Sequence, residues 1–193
     1  MGGGVFGAAA LNKEEDWLPG YSARQLNEAQ ERYGVHFPPD LTALLRERRP
    51  ARGYDWDRED PRIRKMMIWP FKILLAEIRH GAWWKSWGPK PSGLARRARR
   101  LRAALDEAPR LIPLLGHRFL PETPNEAGNP VFSMYGFDTI YYGANLAQYF
   151  ENELGQHHVI GATRYIPFWS DLVERWEDEV VAEEGLEPPT RGL

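Results

Sequence analysis

The residue types best suited to catalysis or metal binding are histidine and cysteine, and they offer little in this sequence. Cysteine is absent, so thiolate zinc sites, disulfides and cysteine nucleophiles are excluded. Histidine occurs at His36, His80, His117, His157 and His158. The last two are adjacent, so their side chains diverge on a strand or a helix, and no His-x-Glu or His-Glu-x-x-His spacing occurs. The pattern predicts surface or helix-capping histidines and no metal site.

A second group of potential ligands is the acidic stretch Asp55-Trp56-Asp57, which Glu59 and Asp60 follow closely. Carboxylates at this spacing could hold Mg²⁺ or Ca²⁺, but the calcium-loop pattern is not completed, so a charged loop is favoured. The sequence also lacks a Gly-x-Ser-x-Gly elbow, a phosphate-binding loop and a Gly-x-Gly-x-x-Gly fingerprint. We therefore expect no catalytic residue, no metal and no cofactor. An unrecognised hydrolase is kept as an alternative.

The strongest charge feature is a run of arginines on a helix predicted over residues 92–108. Its members are Arg96, Arg97, Arg99, Arg100 and Arg102. Their guanidinium groups could bind phosphate, so a nucleic-acid-associated protein that uses this Arg96–Arg102 helix face is an alternative. A solvated outer face is favoured, because the apolar residues of the helix form one stripe on its other side. The net charge of −2 gives no general attraction to nucleic acid, and acidic residues of a last predicted helix could face the arginines.

Aromatic residues are unusually frequent, with eight each of Trp, Tyr and Phe. A small domain buries many of them, yet a partly exposed aromatic patch rimmed by charge is typical of a protein-binding surface. Neighbouring side chains on a strand point to opposite faces, so one of Tyr141 and Tyr142 can be buried while the other is exposed. We expect the partner-binding residues to be Trp83, Trp84, Trp87, Tyr135, Tyr142 and, as a polar anchor, Asp138.

The elements that would position these residues change in type along the chain. Helices come first, including one that begins after a Ser22–Gln25 capping box and ends at Gly34. Residues 71–78 fit a helix or a strand. Short β-rich runs then follow, and their close spacing favours antiparallel pairing. These runs are Leu111–Leu115, His117–Leu120, Val131–Tyr135 and Thr139–Tyr142.

Helices return at the end of the chain, over residues 144–154 and 168–184. This segregation predicts an α+β domain with N-terminal helices, a mostly antiparallel sheet in the second half and flanking C-terminal helices. The 193 residues suit one domain, which we place at 21–184 between a loose tail at 1–20 and a C-terminal tail at 185–193. No apolar run approaches the roughly 20 residues of a membrane span, and a cysteine-free chain suits the cytoplasm. The oligomeric state stays open.

Several segments, taken in order, resemble the SUKH superfamily, the domain that bacterial toxin-immunity proteins share with fungal cell-wall-assembly regulators of the Smi/Knr type. They lie within residues 22–155 and read LNEAQERYG at 26–34, FPPDL at 37–41, WKSWG at 84–88, APRLIPLLGHRFLP at 108–121, GNPVFSMY at 128–135 and DTIYYG at 138–143. The resemblance implies a mixed α+β fold, no catalytic activity and, as in many bacterial members, neutralisation of a toxin by direct binding. It implies neither a particular toxin nor particular functional residues.

Overall fold

Helices and short strands both occur throughout the computed structural model, which describes residues 16–153 and 158–181. Within these residues the α-helices are α1 (Ala23–Tyr33), α2 (Pro39–Glu47), α3 (Pro61–Met67), α4 (Trp69–Arg79), α5 (Leu94–Glu107), α6 (Leu146–Glu153), α7 (Trp169–Glu174) and α8 (Trp176–Glu179). The strands are β1 (Trp17–Pro19), β2 (Arg48–Pro50), β3 (Trp83–Trp84), β4 (Leu111–Leu115), β5 (Arg118–Pro121), β6 (Val131–Ser133), β7 (Ile140–Gly143) and β8 (Val180–Val181). A 3-10 helix covers Lys85–Trp87. The architecture confirms the predicted α+β class.

The central sheet is an antiparallel meander in the order β4-β5-β6-β7. Its strands coincide within two residues with the four β-rich runs of the sequence, so the predicted pairing is confirmed. Side chains alternate between the two faces: Ile112 and Leu120 enter one core cluster, while Phe119 and Phe132 enter the other. Helices α1, α2, α3 and α6 supply the first cluster, and α4, α5, α7 and α8 supply the second. The sheet therefore lies between two helical layers.

Local sequence signals explain where the first helices begin and end. Ser22 accepts a hydrogen bond from the Gln25 backbone while the Gln25 side chain returns to Ser22, which is the predicted capping box. Gly34 ends α1 in the left-handed conformation, at φ 63°. Asp60 caps α3 by accepting from the Arg62 backbone. Pro70 occupies the first turn of α4, where the N–H that proline lacks would have no partner within the helix.

Two predicted boundaries are wrong. The proposed loose tail over residues 1–20 includes β1, which pairs with β2 from Trp17 opposite Pro50 to Pro19 opposite Arg48. The single acidic helix predicted over 168–184 is instead two short helices, α7 and α8, followed by β8. Strand β8 pairs with β3 and so brings the two Trp residues of β3 beside the C-terminal segment. Residues 1–15 and 182–193, which hold the rest of the two predicted tails, lie outside the described residues.

Within residues 16–153 and 158–181, no helix is both long enough and apolar enough to cross a membrane.

Candidate functional site

The predicted aromatic patch divides between the core and the surface. Trp83 and Trp84 have only 2% and 4% of their surface exposed and belong to the second core cluster, so neither ring is freely exposed, although Trp84 also lines the groove described below. Trp87 contacts both rings, Phe137 stacks on that of Trp84 at 5.9 Å, and β8 pairs with their strand. Trp83 Nε1 donates to the Gly88 carbonyl at 2.8 Å, which satisfies its buried polar end.

Trp87 is half-buried and reaches a groove at the surface. Its ring stacks on that of Phe168, with centroids 6.1 Å apart and planes 9° from parallel. It also meets Trp83 edge-on at 5.5 Å and Phe137 at 6.2 Å. Trp87 thus lies between Trp83, which is buried, and Phe168, which is half-buried.

The groove runs between α5, the 3-10 helix and α7, and has a volume of about 320 Å³. Its apolar lining comprises Trp84, Trp87, Ala104, Ala108, Pro167, Phe168 and Leu172. Its polar lining comprises Ser86, Arg100, Glu107, Asp171 and Arg175. The lining thus combines seven apolar with five polar residues; in a binding site the apolar residues exclude water and the polar groups fix orientation.

Phe168 occupies a backbone conformation that is unfavourable for any residue with a Cβ. Its φ is 71° and its ψ is −54°, and it is the one residue other than glycine with positive φ in the described chain. A reciprocal pair of hydrogen bonds holds this turn: Ile166 N–H donates to Ser170 Oγ, and Ser170 N–H donates to the Ile166 carbonyl, both at 2.8 Å. Strained residues of this kind concentrate at functional sites, where the surrounding structure over-determines them.

Helix α7 is fixed from several sides, which defines that wall of the groove. Trp169 Nε1 donates to the Pro109 carbonyl at 2.6 Å and so joins α7 to the end of α5. The Tyr141 hydroxyl lies 2.7 Å from both Ser170 Oγ and Glu174 Oε1, which joins α7 to the sheet. The wall is therefore set by contacts with two other elements and does not depend on a ligand.

The five arginines of α5 have no carboxylate within 4.0 Å among the described residues. Arg97 donates to the Pro91 carbonyl at 2.9 Å, and the Arg102 guanidinium, although exposed, covers the Phe71 ring at 3.9 Å. Arg96, Arg99 and Arg100 are exposed and contact neither of these groups. We call these three the arginine face.

Two acidic residues of α7 and α8, Asp171 and Glu179, pair with residues other than the α5 arginines that they could have faced. Arg175 pairs with Asp171 at 3.5 Å and also with Glu179. Ser86 donates to Glu179 Oε2 from its backbone at 2.9 Å and from its hydroxyl at 2.6 Å, and these bonds lower the pKa of Glu179. Asp171 lines the groove opposite Arg100 without pairing with it.

The remaining predicted binding residues lie on other surfaces. Tyr135 is 61% exposed, and its ring approaches His117 edge-on at 6.3 Å. Asp138 is half-buried, and its negative charge adds to the rise that burial causes in the pKa of Glu77. Tyr142 is half-buried beneath the Arg118 guanidinium, 3.7 Å from its ring centroid. The structure does not bring these three together with Trp87 in one groove.

A separate polar cluster surrounds Arg118 on β5. Its Nε lies 3.4 Å from Glu153 Oε1, with 13% and 2% of the two side chains exposed, and its Nη1 donates to Ser133 Oγ at 2.8 Å. Burial raises the pKa of Glu153, although Arg118 opposes the rise. Burial, followed by the charge of Arg118, lowers the pKa of His117 to about 4, so that imidazole is neutral and accepts from Arg118 Nη1.

The acidic stretch that could have held a cation is engaged by arginines. Arg58 approaches Asp55 at 2.6 Å, Arg64 approaches Glu59 at 2.8 Å, and Arg62 approaches Asp60 at 2.7 Å. Hydrogen bonds from Arg62 lower the pKa of Asp60. Across the part of the chain that the structure describes, no group of three His, Asp or Glu side chains is arranged to hold a metal ion.

Most residues of the groove were not predicted as binding residues from the sequence, and among them are Pro167, Phe168, Leu172 and Arg175. The segment Pro167-Phe168-Trp169 did carry a signal, since a proline followed by two aromatic rings at a helix start is an unusual use of large side chains. Comparisons with known proteins assign no function to this groove: no protein-family model, no curated protein and no solved structure matches the chain. The resemblance to the SUKH superfamily therefore stays a prediction from sequence.

Proposed function

We propose that this chain is a non-enzymatic binding module that recognises another protein through the groove. The observation that carries the proposal is the groove itself, about 320 Å³ with an aromatic floor and a charged rim. Protein interfaces combine a water-excluding aromatic centre with a polar rim, and a few central aromatic residues carry most of the affinity. An apolar side chain of the partner would pack against Trp87 and Phe168, while the rim charges set its orientation.

Binding suits the groove better than catalysis, because the hydroxyl in its lining, that of Ser86, contacts only a weak base. None of the residues that line it is a histidine, and Ser86 donates its hydroxyl hydrogen to Glu179. The lowered pKa makes Glu179 a weak base. The shifted pKa values of His117 and Glu153 belong to the cluster around Arg118, which does not line the groove.

We propose further that the partner is a toxin domain and that the chain acts as a bacterial immunity protein in the cytoplasm. The support is the resemblance to the SUKH superfamily, in which many bacterial members neutralise toxins by direct binding. One of the segments that carry this resemblance, residues 84–88, also supplies Trp84 and Trp87 to the groove.

The role of the groove is tested by selecting a random-peptide phage library on the immobilised full chain. We expect the recovered peptides to share a large apolar anchor and to lose about 30-fold in affinity on the Phe168→Gly variant, since truncating a central aromatic costs about 2 kcal/mol. The control is Ile68→Ala, which removes a side chain that is 45% exposed and distant from the groove lining. Binding that is lost on Tyr135→Ala and retained on Phe168→Gly would move the site to the Tyr135 surface.

The immunity role is tested with the protein encoded next to this chain in its genome. We expect an inactivated form of that protein to bind the purified chain in a 1:1 complex, and the active form to lose its toxicity when the two are co-expressed. The Phe168→Gly variant should fail to protect, whereas Ile68→Ala should protect fully. Protection without complex formation would contradict neutralisation by direct binding.

A further inference from the structure

The arginine face borders the groove and continues its rim along α5. Arg100 lines the groove, and Arg96 precedes it by one helical turn, so the two side chains project from the same side of the helix. Arg99 lies beside them on the exposed surface. A partner seated in the groove would therefore extend across these three guanidinium groups.

Most hydrogen-bonding capacity of the arginine face is unused by the fold. Arg96 donates to the Ser92 carbonyl and hydroxyl, and Arg100 donates from Nε to the Trp87 carbonyl at 3.1 Å. Arg99 makes no hydrogen bond or ion pair among the described residues. Since a guanidinium has five N–H donors, each residue retains donors that are suited to bidentate bonds with carboxylate or phosphate.

We infer that the partner segment recognised by the groove is acidic and presents Asp or Glu side chains to Arg96, Arg99 and Arg100 next to its apolar anchor. The inference rests on the proposed function, because it specifies the chemistry of the segment that the same groove binds. Charge complementarity is its basis: three exposed cations adjoin the groove, while Asp171 pairs with Arg175, and Glu179 pairs with Arg175 and Ser86.

Two observations favour an acidic protein over nucleic acid. Glu107 and Asp171 line the same groove and repel a continuous phosphate backbone, whereas a protein can place its carboxylates beside the arginines alone. The Trp87 and Phe168 rings stack on each other, so their facing surfaces are not open to stack with bases, which single-strand binding requires. Binding of a nucleic acid to the arginine face is therefore the alternative result of the test.

The experiment repeats the phage selection on two matched triple variants of the full chain. One replaces Arg96, Arg99 and Arg100 with Ala. The other replaces Arg24, Arg46 and Arg52 with Ala, which removes the same charge from exposed positions on and near α1 and α2. Individual peptides are then measured by fluorescence anisotropy at about 50 mM and about 200 mM salt, alongside a labelled single-stranded DNA.

We expect peptides selected on the unmodified chain to carry Asp or Glu beside the apolar anchor and to bind more weakly at the higher salt. Affinity should fall about tenfold on the arginine-face variant, as three exposed charge pairs of modest strength would give, and stay unchanged on the control variant. Peptides with an anchor but no acidic enrichment would overturn this inference and leave the groove proposal standing. Failure to select any groove-dependent peptide would overturn both. DNA binding that depends on the arginine face would overturn the inference in favour of phosphate recognition.

Discussion

The positive φ of Phe168 predicts that a Cβ at this position lowers the stability of the fold, and this effect can be measured separately from that of the ring. Replacing Phe168 by Ala removes the ring and keeps a Cβ at positive φ, whereas replacing it by Gly removes both the ring and the Cβ. Because both variants lose the same contacts with Trp87 and Trp169, their difference in stability isolates the backbone strain. We expect the glycine variant to be the more stable of the two.

The magnitude follows from two opposing effects. A residue held in a sparsely populated backbone conformation costs about 1–3 kcal/mol, and glycine relieves most of that cost. Glycine also gains conformational freedom in the unfolded chain, which opposes the relief by about 0.5–1 kcal/mol. The expected net difference is about 1 kcal/mol, or roughly 2–4 °C in melting temperature for a chain of this length. The alanine variant should lie about 2 kcal/mol below the unmodified protein, since a half-buried ring costs about half of a fully buried one, and the glycine variant about 1 kcal/mol below it.

The assay is urea unfolding followed by far-ultraviolet circular dichroism, with all variants measured at the same pH. Ala103→Gly is the matched control, because Ala103 is exposed in the middle of α5, where a Cβ is not strained and glycine costs about 1 kcal/mol. The two glycine substitutions should therefore change stability in opposite directions relative to alanine. If Phe168→Gly is no more stable than Phe168→Ala, the turn stores no strain and the reasoning is refuted.

Three further predictions concern buried groups. The pKa of His117 is lowered to about 4, whereas an unfolded histidine titrates near 6.5, so the protein should lose stability as the pH falls from 6.5 to 4. Over that range the urea midpoint of the His117→Asn variant should therefore decline less than that of the unmodified protein. Equal declines would contradict this prediction. The matched comparison is needed because the raised pKa of Glu153 acts with the opposite sign, favouring the fold as the pH falls. The Tyr149 hydroxyl is buried with no hydrogen-bond partner among the described residues, so Tyr149→Phe should raise stability by about 1 kcal/mol, and a lower melting temperature would show that the hydroxyl is satisfied. Trp84→Ala should cost about 3–5 kcal/mol in thermal unfolding as a core truncation, whereas a loss below about 1 kcal/mol would mean that the ring is not part of the core.

The elements that the sequence predicted well are those specified by contiguous residues. The capping box at Ser22 and the glycine at position 34 define α1, and the four β-rich runs pair in sequence order through short turns. Helix α4 could not be distinguished from a strand in advance, because its residues are apolar on most sides and periodicity gives no decision there.

The binding groove was harder to predict, because its walls come from distant parts of the chain. Trp83 and Trp84 pair with a strand about 100 residues away, and that two-residue strand lies within an acidic segment that was predicted to be helical. Phe168 takes its position from a turn in which Ser170 forms both hydrogen bonds, and no local propensity indicates a positive φ at phenylalanine. Sequence patterns therefore identified Trp87 and the arginines but not how they are combined.

The pairing of β3 with β8 has a consequence for when the groove can form during synthesis. Trp83 and Trp84 of β3 leave the ribosome long before Val180 and Val181, the residues of β8 that pair with them. Helix α7, which begins directly after Phe168, also ends only a few residues before these two valines. A nascent chain therefore lacks the strand that pairs with Trp83 and Trp84 until Val180 and Val181 have been made, about 100 residues after the tryptophans themselves.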